Sequence, residues 1–314
     1  MKLEPVNYAL FELTNYCNLA CSFCNRSELM GKGKRYPLKH MDIITWKRIL
    51  KKFSKHPLQE VKFTGLGEPF LHRKFDILLE MFKQQFPNCK TIVATNCQYR
   101  INDSFKNSLN FIDVLYLSID GYEKSYERDR APAKWRKLIA FLDDLKNVDR
   151  KSCEIVVNYV VNKDNIQDIE KIKKLAKDYD LGELRLNIAQ EWDEEKEMGS
   201  GYSKDDINLL KSKHGNLIKG VSAWTWSDCF WPTRGIYVNV TGDILMCALN
   251  TSTEPFGNVL HKEVDEIRNG IRWQKIAKNC ITDKPGDHCK NCSYKEMSPL
   301  LEKLGINDGR NKNK

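Results

Sequence analysis

The feature that most constrains the fold is an alternation of short apolar runs with amphipathic helical patterns between residue 7 and about residue 190. The apolar runs are rich in β-branched and aromatic residues and nearly continuous, which is typical of strands buried on both faces. Six runs are present: NYALFELT, EVKFTG, TIVATN, VLYLSID, EIVVNYVV and LRLNIAQ. Between the runs, apolar side chains share one helix face, as do Trp135, Leu138, Leu142 and Leu145, and then Ile166, Ile169, Ile172 and Leu175.

This alternation predicts parallel strands joined by right-handed helical crossovers. At roughly 30 residues per unit, six such units fit the segment and eight do not. The predicted fold class is therefore α/β, with a partial (β/α)6 barrel of the TIM type that is open on one side.

A different pattern begins after the polar stretch EWDEEKEMGSGYS, which we interpret as a linker. A helix near 204–214 is predicted, and then CFWPTRGIYVNVTGDILMC places two apolar runs around TGD, a hairpin signal. A helix near 262–278 and a closing CKNC complete a small hairpin-plus-helix unit. We therefore expect a barrel over residues 1–200, a linker with a helix over 201–226 and a cysteine-bearing domain over 227–314.

Composition indicates a folded cytoplasmic protein. The 314 residues are 41% hydrophobic and 30% charged, and no signal region or membrane-spanning apolar run is present. The 11 cysteines are an odd number, so in a reducing compartment metal binding or catalysis explains them better than disulfides. The net charge of +9 is spread over helix surfaces. It favours an acidic protein partner over nucleic acid, because no basic cluster is interleaved with aromatic residues.

Three cysteines lie in CNLACSFC, directly after the first predicted strand, Tyr8 to Leu13. Cys17, Cys21 and Cys24 would thus occupy the carboxyl-terminal face of a parallel barrel, where active sites collect. Each of the four irons of a cubane cluster needs one external ligand, so three thiolates leave the fourth iron open to a small molecule. A zinc half-site or unrelated thiols are the alternative.

The pattern Cys-x3-Cys-x2-Cys, with the aromatic Phe23 before its last cysteine, resembles that of radical S-adenosylmethionine enzymes. FTGLGEP at the end of the second run resembles the family motif that binds the methionine amino group of the cofactor. In it, Gly65 and Gly67 would let the backbone approach a ligand, and Glu68, followed by Pro69, would offer a carboxylate to an ammonium. A tight turn without such a function is the alternative for this stretch.

Two further positions match cofactor contacts of the family. Ser118 in LSIDG and Arg185 in the sixth run fit the places where polar groups contact the ribose and the methionine carboxylate. For Arg185 an exposed ion pair is the alternative. Relatives often have Thr-Asn-Gly after the third strand, whereas this chain has Cys97 in the glycine position. We expect Asn96 to supply left-handed geometry there, and Cys97 either to face the substrate cavity or to be a buried, passive thiol.

The second cysteine set resembles the twitch form of the SPASM extension. Cys229, then Gly242 and Cys247 at the family spacing, are followed by Cys289 and Cys292. The resemblance implies that these four cysteines hold an auxiliary [4Fe–4S] cluster, with structural zinc as the alternative. Cys280 is a fifth thiol in this region, expected to remain free of the cluster.

The resemblance implies reductive cleavage of S-adenosylmethionine and hydrogen abstraction by a 5′-deoxyadenosyl radical. The favoured substrate is a small polar molecule of the sugar or aminocyclitol type, which is oxidised with flavodoxin or ferredoxin as electron donor. The alternatives are a radical epimerase in which Cys97 or Cys280 donates hydrogen, a peptide maturase, and a non-catalytic zinc or iron–sulfur protein. Some charged residues are candidate substrate contacts, although solvated charges are the favoured interpretation: Arg128, Asp129, Arg130 and Arg234.

Overall fold

The computed structural model describes residues 1–27, 37–189, 203–217, 229–248 and 254–282, together with the single positions 284, 286 and 289. Cys292, the carboxyl-terminal tail and nearly all of the stretch EWDEEKEMGSGYS lie outside the described residues. Within them, no helix combines the length and apolar character needed to cross a membrane.

All six predicted runs form strands, and three more strands follow in the carboxyl-terminal part of the chain. Their bounds are β1 Tyr8–Phe11, β2 Glu60–Phe63, β3 Lys90–Thr95, β4 Val114–Ser118, β5 Glu154–Val161, β6 Leu184–Ile188, β7 Gly235–Val238, β8 Asp243–Leu245 and β9 Gly257–Asn258. The first strand ends two residues earlier than Leu13. The hairpin around TGD is confirmed, with Gly242 at its turn in the left-handed region at a φ of 83°.

The described strands form one sheet in the order β6-β5-β4-β3-β2-β1-β7-β8-β9. Strands β1 to β6 pair in parallel in chain order, as the alternation predicts. Strand β7 pairs in parallel with β1, and β8 and β9 continue the sheet antiparallel. The hairpin therefore extends the barrel sheet directly.

Helices alternate with the parallel strands along the chain. Their bounds are α1 Ile43–Phe53, α2 Phe75–Gln85, α3 Asp103–Ser108, α4 Lys124–Asp129, α5 Trp135–Lys146, α6 Ile169–Asp178, α7 Lys204–Leu209, α8 Trp231–Arg234, α9 Val264–Arg268 and α10 Ile271–Ile281. Asp42 caps α1, since its side chain accepts the Thr45 N–H at 2.9 Å. The faces predicted for α5 and α6 are the buried faces, with Trp135 partly buried at the start of α5.

One predicted helix is divided in two. The segment expected to form a single helix near 262–278 breaks between Arg268 and Ile271, because Gly270 has extended backbone and begins α10 as its amino-terminal cap. Asn269 closes α9 through its N–H, which donates to the Asp265 carbonyl at 2.9 Å. An Asn-Gly pair inside a helical pattern commonly marks a turn at which the helix ends.

The two faces of the parallel strands differ in character. Residues such as Val61, Phe63 and Leu115 are buried in one core cluster with the helix side chains. The alternate residues face the interior of the curved sheet, and several of these are polar and only partly buried, including Lys62 and Asn158. The expectation that every strand is apolar on both faces is therefore wrong for the inner face.

Glu12, the residue after β1, joins the barrel to the carboxyl-terminal hairpin. Its buried carboxylate accepts the Leu66 N–H at 2.6 Å, the Tyr237 O–H at 2.8 Å and the Val240 N–H at 3.4 Å. Burial raises the pKa of Glu12, and these hydrogen bonds oppose the shift. A β-carbon added to Gly65 would lie 2.4 Å from Glu12 Oε2, so glycine is needed for this close approach.

Removal of one hydrogen-bond donor to Glu12 tests whether this carboxylate stabilises the contact between the barrel and the hairpin. We expect Tyr237→Phe to lower the free energy of unfolding by about 1–3 kcal/mol, because the buried carboxylate loses one of the hydrogen bonds that it accepts. Tyr122→Phe is the control, because no hydrogen bond of the Tyr122 hydroxyl is found among the described residues. Urea unfolding monitored by tryptophan fluorescence gives both values. Equal midpoints for the two variants would show that the hydrogen bond to Glu12 does not stabilise the fold.

Candidate active site

The three cysteines of CNLACSFC line one cavity of about 390 Å³ at the carboxyl ends of the strands. Backbone hydrogen bonds hold their loop in place: the Ala20 N–H donates to the Ala131 carbonyl at 2.7 Å, and the Ser22 N–H to that of Asp129 at 2.9 Å. Phe23 lines the same cavity. The sequence prediction that Cys17, Cys21 and Cys24 converge at this end of the barrel agrees with this arrangement.

The raised pKa values of the triplet thiols favour a bound metal cluster over three free thiolates. Burial raises the pKa of Cys21 to about 12, and the nearby Arg130 opposes that shift. Burial also raises the pKa of Cys17. Thiolates are therefore costly here until a metal cluster binds them, because the positive charge of the irons offsets the desolvation.

The GLGEP loop docks on the cysteine loop rather than opening onto empty space. The Glu68 N–H donates to the Tyr16 carbonyl at 2.7 Å. A β-carbon on Gly67 would lie 2.3 Å from the Thr14 carbonyl oxygen, so only glycine fits between the loops. The two glycines thus serve close approach to the chain itself, to Glu12 in one case and to the cysteine loop in the other. Pro69 is buried and begins a short 3₁₀ helix, Pro69–Leu71.

Glu68 is buried at the cavity and has well-defined partners. Its carboxylate accepts the Thr95 O–H at 2.9 Å, the Asn96 N–H at 2.7 Å and the Phe70 N–H at 3.3 Å. Burial raises the pKa of Glu68 to about 7, and these donors oppose the rise. A buried carboxylate poised near neutrality is a suitable partner for a ligand ammonium, whose charge favours the ionised form.

Arg130 is the largest departure from the sequence expectation, which favoured a solvated charge. It is buried, lines the cavity and pairs with the fully buried Asp120, whose Oδ2 accepts its Nε–H at 2.5 Å. Its Nη1 lies 3.9 Å from Cys21 Sγ, and its guanidinium lies 5.4 Å from the centre of the Phe23 ring. Burial disfavours the guanidinium charge, but Asp120 outweighs burial and raises the pKa of Arg130. A fixed positive charge therefore lies beside the thiolate triplet.

The other charged candidates lie elsewhere. Asp129 is buried, with one carboxylate oxygen 2.6 Å from Arg128 Nε and the other accepting the Asn162 side-chain N–H at 2.9 Å. The solvated interpretation is therefore wrong for Asp129 as well, although it is not among the residues that line the cavity. Arg234 is exposed at the end of α8, in agreement with a solvated charge.

The two predicted cofactor contacts on β4 and β6 separate in the structure. Ser118 lines the cavity. Arg185 is not among the lining residues; its Nη1 instead donates to the Tyr116 hydroxyl at 2.6 Å, on the inner face of the sheet. This geometry does not support contact between Arg185 and a methionine carboxylate in the cavity.

Cys97 itself takes up the left-handed geometry that was expected of Asn96. Its φ is 59°, a conformation that costs a non-glycine residue about 1–2 kcal/mol. The thiol is fully buried, lies 3.7 Å from the Thr95 carbonyl oxygen and is not among the cavity-lining residues. Burial raises the pKa of Cys97 well above its usual value. The position agrees with a passive thiol and argues against a hydrogen donor facing the cavity.

The carboxyl-terminal thiols are grouped around Cys289. Cys229 and Cys247 pack against the same small core cluster, and Cys280 on α10 donates a hydrogen bond to Cys289 over 3.8 Å. The close contact with Cys280, then burial, and then the charges of Cys280, Cys247 and Cys229 raise the pKa of Cys289. Cys280 is therefore in contact with a predicted cluster ligand, which the sequence did not indicate. The predicted ligand Cys292 lies outside the described residues.

No group of three described His, Cys, Asp or Glu residues is arranged to hold a single metal ion. A four-iron cluster places each thiolate on a different iron, so its ligands lie farther apart than those of one ion. The three thiols in the cavity are the donor set that a cubane cluster with one open iron requires.

The cavity also contacts the carboxyl-terminal unit. Tyr237 of β7 and Ala248, which follows Cys247, line it together with the cysteine triplet and the GLGEP loop. Inner-face residues of the barrel strands form its floor, among them Leu10, Thr64 and Ala94. A ligand in this cavity would therefore touch both cysteine-bearing parts of the chain.

Sequence reasoning missed Glu12 and misjudged Arg130. A glutamate inside an otherwise apolar strand run is a signal for a buried, hydrogen-bonded carboxylate, and it could have identified Glu12. For Arg130 the sequence contained no such signal, because its burial depends on Asp120 ten positions earlier and on the packing of the cysteine loop.

Comparisons with known proteins agree with this geometry. The profile of the Radical SAM superfamily matches residues 11–176, and that of the SPASM iron–sulfur cluster-binding domain matches residues 229–293. The sporulation killing factor maturation protein SkfB of Bacillus subtilis (strain 168) is 22% identical over 293 residues, covering 88% of this chain and 68% of that protein.

Two solved structures share the fold at low identity. BtrN in complex with AdoMet and 2-DOIA superposes with a TM-score of 0.55 at 16% identity over 93% of both chains. Native anSMEcpe with bound AdoMet and the Cp18Cys peptide superposes with a TM-score of 0.64 at 18% identity, over 92% of this chain and 86% of that one. Because the Radical SAM profile covers more than half of the sequence and its cysteine triplet lines the cavity, this chain belongs to the radical SAM superfamily and carries a SPASM iron–sulfur domain.

Proposed function

We propose that this protein abstracts a hydrogen atom from a carbon of a small polar substrate and oxidises that carbon, while a second iron–sulfur cluster takes up an electron. The observation that carries the proposal is the shared cavity. Cys17, Cys21 and Cys24 line it, and so does Ala248, the neighbour of Cys247 in sequence. A substrate in between is close to the site of hydrogen abstraction and to the thiols of the SPASM domain.

The two domains imply [4Fe–4S] clusters, and S-adenosylmethionine is bound in the solved neighbours. Cys17, Cys21 and Cys24 would hold the first cluster, which would supply the electron for reductive cleavage of S-adenosylmethionine. Cys229, Cys247, Cys289 and Cys292 would hold the second. With all four of its irons bound by protein, the second cluster has no open site and suits electron transfer.

The side chains of the cavity have distinct tasks in this proposal. Glu68 accepts a hydrogen bond from the methionine ammonium of the cofactor, since its carboxylate is held at the cavity by Thr95 and Asn96. Arg130, which is fixed by Asp120, offsets negative charge at Cys21. Ser118 remains the candidate contact to the ribose.

The inner face of the barrel supports a small polar substrate. Side chains there form hydrogen bonds with one another, as between Asn187 Nδ2 and Asn158 Oδ1 at 2.7 Å, and between Arg185 and the Tyr116 hydroxyl. A substrate rich in hydroxyl or amino groups can replace such partners. The similarity to SkfB, named a maturation protein, and to anSMEcpe solved with a peptide favours peptide modification as the second candidate.

Oxidation is favoured over epimerisation because neither candidate hydrogen donor faces the cavity. Cys97 is fully buried beside the Thr95 carbonyl, and Cys280 donates to Cys289. The formal charge of +9 suits an acidic flavodoxin or ferredoxin as electron donor in a reducing, cytoplasmic setting.

Replacement of the triplet tests the proposed activity. We expect the Cys17→Ala/Cys21→Ala/Cys24→Ala variant to retain about four irons, one cubane, and to form no 5′-deoxyadenosine when reduced with dithionite in the presence of S-adenosylmethionine. Cys153→Ala is the control, because this buried thiol at the start of β5 is remote from both cysteine sets in sequence and is not a cavity-lining residue. Undiminished 5′-deoxyadenosine in the triple variant would refute the assignment, and tightly bound zinc in place of iron would favour the non-catalytic alternative.

The role of Cys280 has a separate test. We expect Cys280→Ala to keep the wild-type content of about eight irons, two cubanes, but to lower the reduction potential of the second cluster. The reason is that the variant loses the hydrogen bond to Cys289, and hydrogen bonds to ligand sulfurs favour the reduced state. Potentiometric titration and iron analysis measure both quantities. A loss of about four irons would instead show that Cys280 is itself a ligand.

A further inference from the structure

A polar layer lies beneath the cavity, on the inner face of the sheet. Lys62 of β2 is two residues before Thr64, so the two side chains point to the same face about 6–7 Å apart along the strand. Thr64 lines the cavity. On β4, Tyr116 is likewise two residues before Ser118, which lines the cavity. These residues therefore form the next layer toward the centre of the barrel.

Lys62 is only partly exposed on the inner face, and its ammonium has no carboxylate partner among the described residues. Its nearest recorded partner is the ring of Tyr8, whose centre lies 5.9 Å from Nζ, and no ion pair within 4.0 Å involves Lys62. Burial lowers the pKa of Lys62, Glu60 on the preceding inner position opposes that shift, and Arg185 adds to it. A lysine is seldom held in such a place without a function, since burial of an unpaired charge is unfavourable.

Arg185 supplies a second cation to the same layer. Its Nη1 donates to the Tyr116 hydroxyl at 2.6 Å, across the intervening strand β5. In a flat sheet β2 and β6 would lie about 19 Å apart, four strand spacings. The sheet is curved into a partial barrel, however, and inward side chains of alternate barrel strands share one layer, as Lys62, Tyr116 and Arg185 do on β2, β4 and β6.

We propose that Lys62 and Arg185, with the Tyr116 hydroxyl, form an oxyanion subsite that binds a carboxylate or phosphate group of the substrate. The inference rests on the proposed function, because the subsite lies directly beneath the cavity in which the substrate is placed. A guanidinium and an ammonium on opposite sides of a narrow interior match the oxygens of one oxyanion, and the hydroxyl adds a third donor. The anion would offset the repulsion between the two cations and complete the hydrogen bonding of Lys62.

The experiment uses reconstituted protein carrying both clusters and saturated with S-adenosylmethionine, so that the methionine carboxylate of the cofactor occupies its own site. Inorganic phosphate and acetate are titrated separately, and ³¹P and ¹³C linewidths report binding. We expect Lys62→Met and Arg185→Met each to weaken the preferred anion about tenfold or more, the loss of one charge-assisted contact. Lys62→Arg should retain binding, and Lys47→Met, on the exposed face of α1, is the control for net charge.

Each outcome of these titrations has a different interpretation. Preferential binding of phosphate identifies a phosphorylated substrate class, and preferential binding of acetate a carboxylate class. Wild-type protein that cleaves S-adenosylmethionine but binds neither anion, or variants that bind as wild type does, would overturn the subsite and leave the proposed function standing. Anion binding that appears only when S-adenosylmethionine is omitted would also overturn it, by assigning Arg185 to the cofactor. Wild-type protein that cleaves no S-adenosylmethionine would overturn the proposed function itself.

Discussion

The buried carboxylate of Glu12 connects the two cysteine-bearing parts of this protein. It follows β1, the strand on which the barrel and the hairpin meet, and it accepts hydrogen bonds from Leu66 in the GLGEP loop and from Tyr237 and Val240 in the hairpin. Gly65 is obligatory beside it, because any β-carbon would overlap the carboxylate. One acidic side chain thus holds the GLGEP loop against the hairpin of the SPASM domain, and Leu66 and Tyr237, two of its donors, line the cavity.

Charge is distributed around the cavity in a consistent way. At the cysteine loop, Arg130 and its buried partner Asp120 place a fixed cation beside Cys21. Glu68 places a carboxylate on the same cavity, held by Thr95 and Asn96. Beneath them, the inner face carries Lys62 and Arg185. The charges at the cavity suit a zwitterionic cofactor next to a cluster.

Much of the fold could be predicted from the sequence because its elements carry local signals. The six apolar runs became the six parallel strands, and the TGD turn became the β7–β8 hairpin, since strand length, β-branched content and turn residues are local properties. The polar inner face was misjudged because residues such as Lys62 and Asn158 were treated as interruptions of apolar runs, although they alternate with core residues. Period-two alternation was present in β2 and β5 and could have revealed it.

The site was predictable only where spacing determines it. The triplet and GLGEP are contiguous motifs, and the structure brings both to one cavity. Arg130 was misjudged because burial of a charge depends on partners distant in sequence. Arg185 was misplaced because its direction depends on Tyr116, and the contact between Cys280 and Cys289 arises from packing of α10. Cys97 shows the same limit, since the left-handed residue of its turn is the cysteine and not the preceding asparagine.

The most direct test of the open-iron interpretation is an electron paramagnetic resonance titration of the dithionite-reduced protein with S-adenosylmethionine. If Cys17, Cys21 and Cys24 leave one iron free beside Glu68, the cofactor binds that iron and shifts the g-values of one of the two clusters, while the spectrum of the other is unchanged. Spectra that superpose with and without S-adenosylmethionine would contradict the interpretation.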